Sequence, residues 1–181
     1  RDMGLFASQE DLNKALDEIK PFLADADSPA QPFAKLLQAR CLRELGVTMN
    51  SCDNSKESQD MKKKGMENYV EAGKILEPLV GPGGKKELLV ESLFEVARNS
   101  IEQGASLVSQ NQVPEGEQRF AQAQKDIDAF VKQAAVVSSP IGIDVKKLVL
   151  DYYLYEQWAN ALRSIGQDGK AIAYDKKIQE S

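Results

Sequence analysis

Four of the six arginines in this chain, Arg40, Arg43, Arg98 and Arg163, fall at related places. Arg40, Arg98 and Asn160 each directly follow an alanine (Ala39, Ala97, Ala159), and a glycine (Gly46, Gly104, Gly166) closes each stretch two helical turns after its alanine. Three positions beyond the first set stand Arg43, Ile101 and Arg163. A guanidinium is a planar fork of donors that matches carboxylate or phosphate in two hydrogen bonds. Its recurrence in a chain of net charge −5 points to recognition of an anionic group. Catalysis has less to work with. The chain has no His, which removes the usual general base, the commonest metal ligand and every Ser-His or Cys-His pair.

Other motifs are weaker. Gly81-Pro82-Gly83-Gly84-Lys85-Lys86 lacks the Gly-Lys-Ser/Thr ending of a phosphate loop, and no strand precedes it, so a helix-helix turn is expected. Asp53, Ser55, Glu57 and Asp60 lack the central Gly and terminal Glu of a calcium loop. Glu115 and Glu117 suit a helix start. No metal and no cofactor is expected. Lys62-Lys63-Lys64, flanked by Asp60 and Glu67, reads as a solvated helix face, and the acidic balance argues against nucleic acid. No apolar run is long enough to insert in a membrane. Cys41 and Cys52 are too few for a disulfide framework, and two free thiols are expected. The compartment stays open, with a slight lean to the cytoplasm, because a targeting segment can be missing from a chain that starts at Arg1.

The elements that position these residues repeat. Self-similarity at a fixed spacing is the mark of a stacked array, and the steps from Gly46 to Gly104 and from Gly104 to Gly166 are nearly equal. Helical period dominates throughout. Ser8-Gln9-Glu10-Asp11 opens a first helix with a Ser cap, and Leu12, Ala15, Leu16 and Ile19 give it one apolar face. Further helices are expected over about 30–47, 57–80, 85–110, 114–137, 143–165 and from 170 on, with polar breaks at 50–59, 81–84, 138–140 and 166–169. Second helices repeat as well: Ser8, Leu12, Ala15 and Pro21 share offsets with Gly65, Tyr69, Ala72 and Pro78, and Ala123, Ile127, Phe130 and Val136 form the next set. The step from Gly46 to Gly65 equals that from Gly104 to Ala123, and the step from Gly166 to Ala171 is much shorter. Two hairpins are therefore expected to carry equal insertions and the last none.

The last hairpin resembles the tetratricopeptide repeat, patterned W-x2-L-G-x2-Y, A-x3-F, P over about 34 residues. Tyr155, Trp158, Ala159 and Leu162 match its first helix, Gly166 its turn and Ala171 its small second-helix position, while Tyr174 is one place short of the aromatic position. Leu93, Val96, Ala97, Ser100 and Gly104 give a weaker match, as do Ala39, Leu42 and Gly46; Gly65, Tyr69 and Ala72 suit a second helix. The resemblance implies an all-α fold: an α-α superhelix (solenoid) of about seven helices in antiparallel hairpins. One helical-repeat domain over 1–181 is expected, a fragment of a larger protein, with hairpins at about 30–80, 85–137 and 141–181 after a half-repeat at 8–24.

In that family the first helices line a concave surface. By resemblance, Arg40, Arg43, Arg98, Asn160 and Arg163 then point into a groove that takes an extended peptide with acidic side chains or a free C-terminal carboxylate. Phe94 and Tyr153 would be its anchors. The expected function is non-catalytic: a scaffold or adaptor binding a protein partner. Against it stands simple pairing of the arginines with Glu44, Glu102 and other acids of the chain. A structural spacer beside a catalytic or envelope domain, or self-association through uncapped ends where Ile172, Tyr174 and Ile178 stand, are the alternatives.

Overall fold

The computed structural model describes residues 8–51, 56–136 and 140–180. Cys52, Asp53 and Ser55, weighed above as a thiol and as calcium ligands, lie outside them. The chain is all-α. Its seven helices are α1 (Gln9–Ala24), α2 (Gln31–Asn50), α3 (Lys56–Val80), α4 (Lys86–Ser109), α5 (Val113–Ala134), α6 (Pro140–Ser164) and α7 (Asp168–Glu180), and no strand occurs among the described residues. The break expected at 50–59 is shorter, because α2 continues to Asn50 and α3 already starts at Lys56. Two compact units form, Arg1–Leu88 and Leu89–Ser181, with the boundary inside the first turn of α4.

In the first unit, Ser8 closes a capping box on α1. Asp11 N–H donates to Ser8 Oγ at 3.1 Å, and Ser8 N–H to Asp11 Oδ2 at 3.2 Å. Ser8 Oγ also donates to Asp11 Oδ2 at 2.6 Å, and this bond first, then that from the Ser8 N–H, holds the Asp11 carboxyl below its usual range. Leu12, with Ala15 and Leu16, then packs on Cys41 and Leu45 of α2. Cys41 is free and buried, and burial, with Glu44 adding to it, pushes its thiol up and keeps it protonated. α2 and α3 run antiparallel and very close. A Cβ on Gly46 would stand 2.4 Å from the Tyr69 ring, and one on Gly65 would stand 3.1 Å from the Gly46 carbonyl oxygen. That oxygen accepts from Asn50 Nδ2 at 2.8 Å. Of the lysine block, Lys63 and Lys64 are exposed as expected, but Lys62 is buried. Lys85 folds the α3–α4 turn back, donating to the Pro29 carbonyl at 2.8 Å with its Nζ 5.6 Å from the Phe33 ring centroid.

The second unit repeats this construction. A Cβ on Gly104 would lie 2.9 Å from the Phe120 ring, and one on Gly116 3.0 Å from the Gly104 carbonyl oxygen. Ser100 Oγ donates to Asp126 Oδ2 at 2.5 Å, and Phe94 meets Phe130 edge-on at 6.1 Å, so α4 and α5 are antiparallel along their length. In the next hairpin, Tyr174 of α7 stacks on Trp158 of α6 at 4.2 Å. Trp158 in turn stacks on Phe120 at 4.6 Å and joins the two hairpins. Within this unit, hairpin lies on hairpin as in an α-α solenoid.

The turns fix the register. Gln112 N–H donates to the Leu107 carbonyl (2.9 Å) and Asn111 N–H to that of Val108 (2.8 Å); Gln167 N–H donates to Leu162 (2.9 Å) and Gly166 N–H to Arg163 (3.0 Å). Both are Schellman closures around a left-handed residue, Asn111 at φ 64 and Gly166 at φ 74. Gly166 therefore corresponds to Asn111 of the preceding hairpin, not to Gly104. Gly46 and Gly104 lie inside α2 and α4, where they admit an aromatic ring from the next helix and end nothing. In the register set by the two turns their counterpart is Ala159, fully buried like Ala171. The small pairs are thus Gly46/Gly65, Gly104/Gly116 and Ala159/Ala171, and the last two pairs are equally spaced along the chain. The equal insertions expected from sequence are not present: only the α2–α3 hairpin is lengthened, by about two helical turns.

The α6–α7 stack has a consequence at high pH. Burial, with smaller contributions from Glu117 and Tyr155, pushes the Tyr174 hydroxyl up to about 12. The proton is held more tightly in the folded chain than in the unfolded one. This contribution is complete below about pH 10, the unfolded value, and is lost as pH rises towards 12. Tyr152 and Tyr155 are also raised, so a tyrosinate absorbance titration should show a spread towards high pH, and Tyr174→Phe should remove the part of it near pH 12.

Candidate functional site

The arginine positions separate into three environments. On α2, Arg40 is half-buried. Arg43, expected in an open groove, is 2% exposed, with Nη2 2.8 Å from Glu44 Oε1. Its burial follows from helical spacing: Ala39, Arg43 and Gly46 stand at i, i+4 and i+7 on one face, and the matching Ala97, Ile101 and Gly104 are all buried core. The position four after the alanine faces inward.

On α6, Asn160 and Arg163 are exposed. Arg163 Nη1 donates to Asn160 Oδ1 at 3.3 Å, and Nη2 is ion-paired with Asp175 of α7. Arg163 thus braces its own hairpin. The shift of register explains this, since Arg163 corresponds to Val108, at the α4–α5 contact, and not to Ile101.

The third environment brings the expected residues together. Glu91, Phe94, Arg98 and Glu102 follow one another at i, i+3 and i+4 steps along α4, and Lys146 and Tyr153, two turns apart on α6, meet them. The Arg98 guanidinium lies 5.6 Å from the Tyr153 ring centroid, and Lys146 Nζ 5.3 Å from that of Phe94. Each such contact is worth about 0.5–1 kcal/mol where water reaches it. Tyr153 donates its hydroxyl hydrogen to Glu102, which is 5% exposed, and Lys146 pairs with Glu91. Two cations over two rings, with a carboxylate at each end, form a half-buried strip of zero net charge. Phe94, Arg98 and Tyr153 were legible in sequence. Lys146 was not, and its signal was its place two turns before Tyr153, on the same face of the helix.

Nothing in this strip supplies a nucleophile beside a base. Among the described residues, no three His, Cys, Asp or Glu side chains gather where they could hold a metal ion. None of the described helices is long and apolar enough to cross a membrane. A shallow polar depression on α1, lined by Gln9, Glu10, Asn13, Lys14 and Asp17, lies on that one helix. Comparison with protein-family models, curated proteins and solved structures finds no match to this chain.

Proposed function

We propose that this chain is a non-catalytic, tetratricopeptide-like interaction module that binds an extended peptide through carboxylate groups along the α4–α6 strip. The observation that carries it is the pairing of Arg98 with Tyr153 and of Lys146 with Phe94 on neighbouring first helices. Aromatic faces bearing cations offer a peptide both an apolar seat and a carboxylate clamp. Gly116-x3-Phe120, following Gly104 in the next helix, has the small-x3-aromatic pattern of that repeat. An incoming carboxylate would take the place of Glu91 at Lys146, so the strip's own acids set the affinity.

One observation favours a purely structural role instead. Lys146, Arg43 and Arg163 are all paired with acids of the chain, Glu91, Glu44 and Asp175. Fluorescence anisotropy separates the two. A labelled glutamate-rich peptide with a free C-terminus should bind in the range of about 10–100 μM and weaken with salt. Arg98→Glu should weaken it at least about tenfold, and Glu91→Gln should strengthen it several-fold, with helical circular dichroism unchanged. Equal binding by the Arg98→Glu chain, or none below about 1 mM, would leave the structural role standing.

A further inference from the structure

The α4–α6 strip is built on one interval. Glu91 and Arg98 stand two helical turns apart on α4, and Lys146 and Tyr153 stand at the same step on α6. Lys146 meets Glu91 and Phe94, while Tyr153 meets Arg98 and Glu102, so the two helices run parallel and in step. Two turns of helix return to the same face after a rise of about 10.5 Å. The strip is therefore a pair of seats at that separation. Each seat joins one cation to one ring from the opposite helix: Lys146 of α6 over Phe94 of α4, and Arg98 of α4 over Tyr153 of α6.

Both seats are shaped for an anion. Glu91, paired with Lys146, shows that a carboxylate fits the first. At the second, buried Glu102 holds Tyr153 by its hydroxyl, which fixes the ring beneath Arg98. A ligand that fills both must carry two carboxylates on one side at the interval of the seats. A β-strand places same-side residues about 6.8 Å apart, or roughly 13 Å at the next repeat, and misses it. Polyproline II has three residues per turn and rises about 3.1 Å per residue, so positions i and i+3 share a side about 9.3 Å apart. A helix with acids at i and i+7 also spans the distance. Helix docking, however, takes its affinity from a continuous line of apolar anchors. Here the two rings are separate, half-buried and each overlaid by a cation. A preformed polyproline II segment needs only the ring edge at each seat and loses little backbone freedom on binding.

We infer that the strip reads spacing: its ligand is an acid-x-x-acid segment in polyproline II conformation, with one acid side chain at Lys146 and the other at Arg98. This rests on the carboxylate-binding reading of the strip and deepens it. Two side-chain acids suffice, a free chain end is not needed, and proline at the two middle places strengthens binding by holding the acids on one side.

Peptides with an amidated C-terminus and rhodamine on an N-terminal Gly-Ser spacer test this by anisotropy with the whole chain. Glu-Pro-Pro-Glu is expected to bind at least about fivefold more tightly than Glu-Pro-Glu or Glu-Pro-Pro-Pro-Glu, which carry the same charge. It should also exceed a helical peptide with Glu at i and i+7. Lys146→Gln leaves a single seat and should abolish the preference while helical circular dichroism stays the same. Equal binding at every spacing, weakened by Arg98→Glu, overturns the spacing inference and leaves the carboxylate strip standing. Tighter binding of the helical peptide, or a preference that survives Lys146→Gln, has the same consequence. Failure of every peptide to bind below about 1 mM overturns the inference and the carboxylate strip together.

Discussion

Replacing Gly116 with alanine is expected to destabilise the second unit by about 2 kcal/mol, although alanine is the better helix former by up to about 1 kcal/mol. The added Cβ would stand 2.4 Å from Val108 Cγ2 and 3.0 Å from both the Val108 nitrogen and the Gly104 carbonyl oxygen. Val108 is fully buried, and its β-branched side chain has one favoured rotamer in a helix, so it cannot turn away. The other two contacts are backbone, so α4 and α5 must separate. That would loosen Phe120, which fills the groove over Gly104. A loss of this size in a unit of this length lowers the melting temperature by roughly 8–15 °C. Val108→Ala in the Gly116→Ala background should recover part of the loss, a coupling that independent sites would not show. Gly169→Ala supplies the contrast, since its Cβ would meet nothing within 4 Å in the first turn of α7. Reduced freedom of the unfolded chain and better propensity should there stabilise by about 0.5–1 kcal/mol. Equal melting temperatures for parent and Gly116→Ala would show that the hairpin is not held by this close approach.

The same glycines show what the sequence could and could not specify. Helical period, Pro and Gly breaks and the Ser8 cap were enough for seven helices and their order, because each is a local property of the chain. Register between helices is not local. Gly46, Gly104 and Gly166 look alike as letters, yet two of them seat an aromatic ring inside a helix and the third takes a left-handed turn. Only the partners, Tyr69 and Phe120 on one hand and the Schellman hydrogen bonds on the other, separate the two roles. That misalignment, about two helical turns, carried into the candidate site. It put Arg163 on a line with Arg98, whereas Arg163 turns towards Asp175. Arg43 failed for another reason: its face was already occupied by Ala39 and Gly46, and an i+4 arginine beside them is carried inward with its Glu44. Phe94, Arg98 and Tyr153 do lie in one strip, because each stands one or two turns from another strip residue on its own helix, where spacing alone decides the face. The carboxylates that balance them, Glu91 and Glu102, were visible as letters, but their pairing with Lys146 and Tyr153 belongs to the packing of α4 against α6.

Trp158→Ala is expected to cost the second unit about 3 kcal/mol or more. The indole is the middle member of a three-ring stack, 4.6 Å from Phe120 at an interplanar angle of 12° and 4.2 Å from Tyr174 at 22°. Its loss removes contacts to α5 and α7 together, and the aromatic pairs add to the area term. Two fixed neighbours also limit collapse around the cavity, which puts the cost towards the upper part of the range for such truncations. Trp158→Phe should behave differently. The indole Nε1 is buried and meets no acceptor among the described residues, a burden of roughly 1–3 kcal/mol that phenylalanine does not carry. A smaller ring sacrifices area but removes that orphan donor, so a net loss below about 1.5 kcal/mol is expected. Urea unfolding followed by circular dichroism measures both, because Trp158 is the only tryptophan and its fluorescence disappears with it. If Phe proves as costly as Ala, the stack is not what the indole contributes. If Ala costs less than about 1 kcal/mol, the hairpins are joined elsewhere.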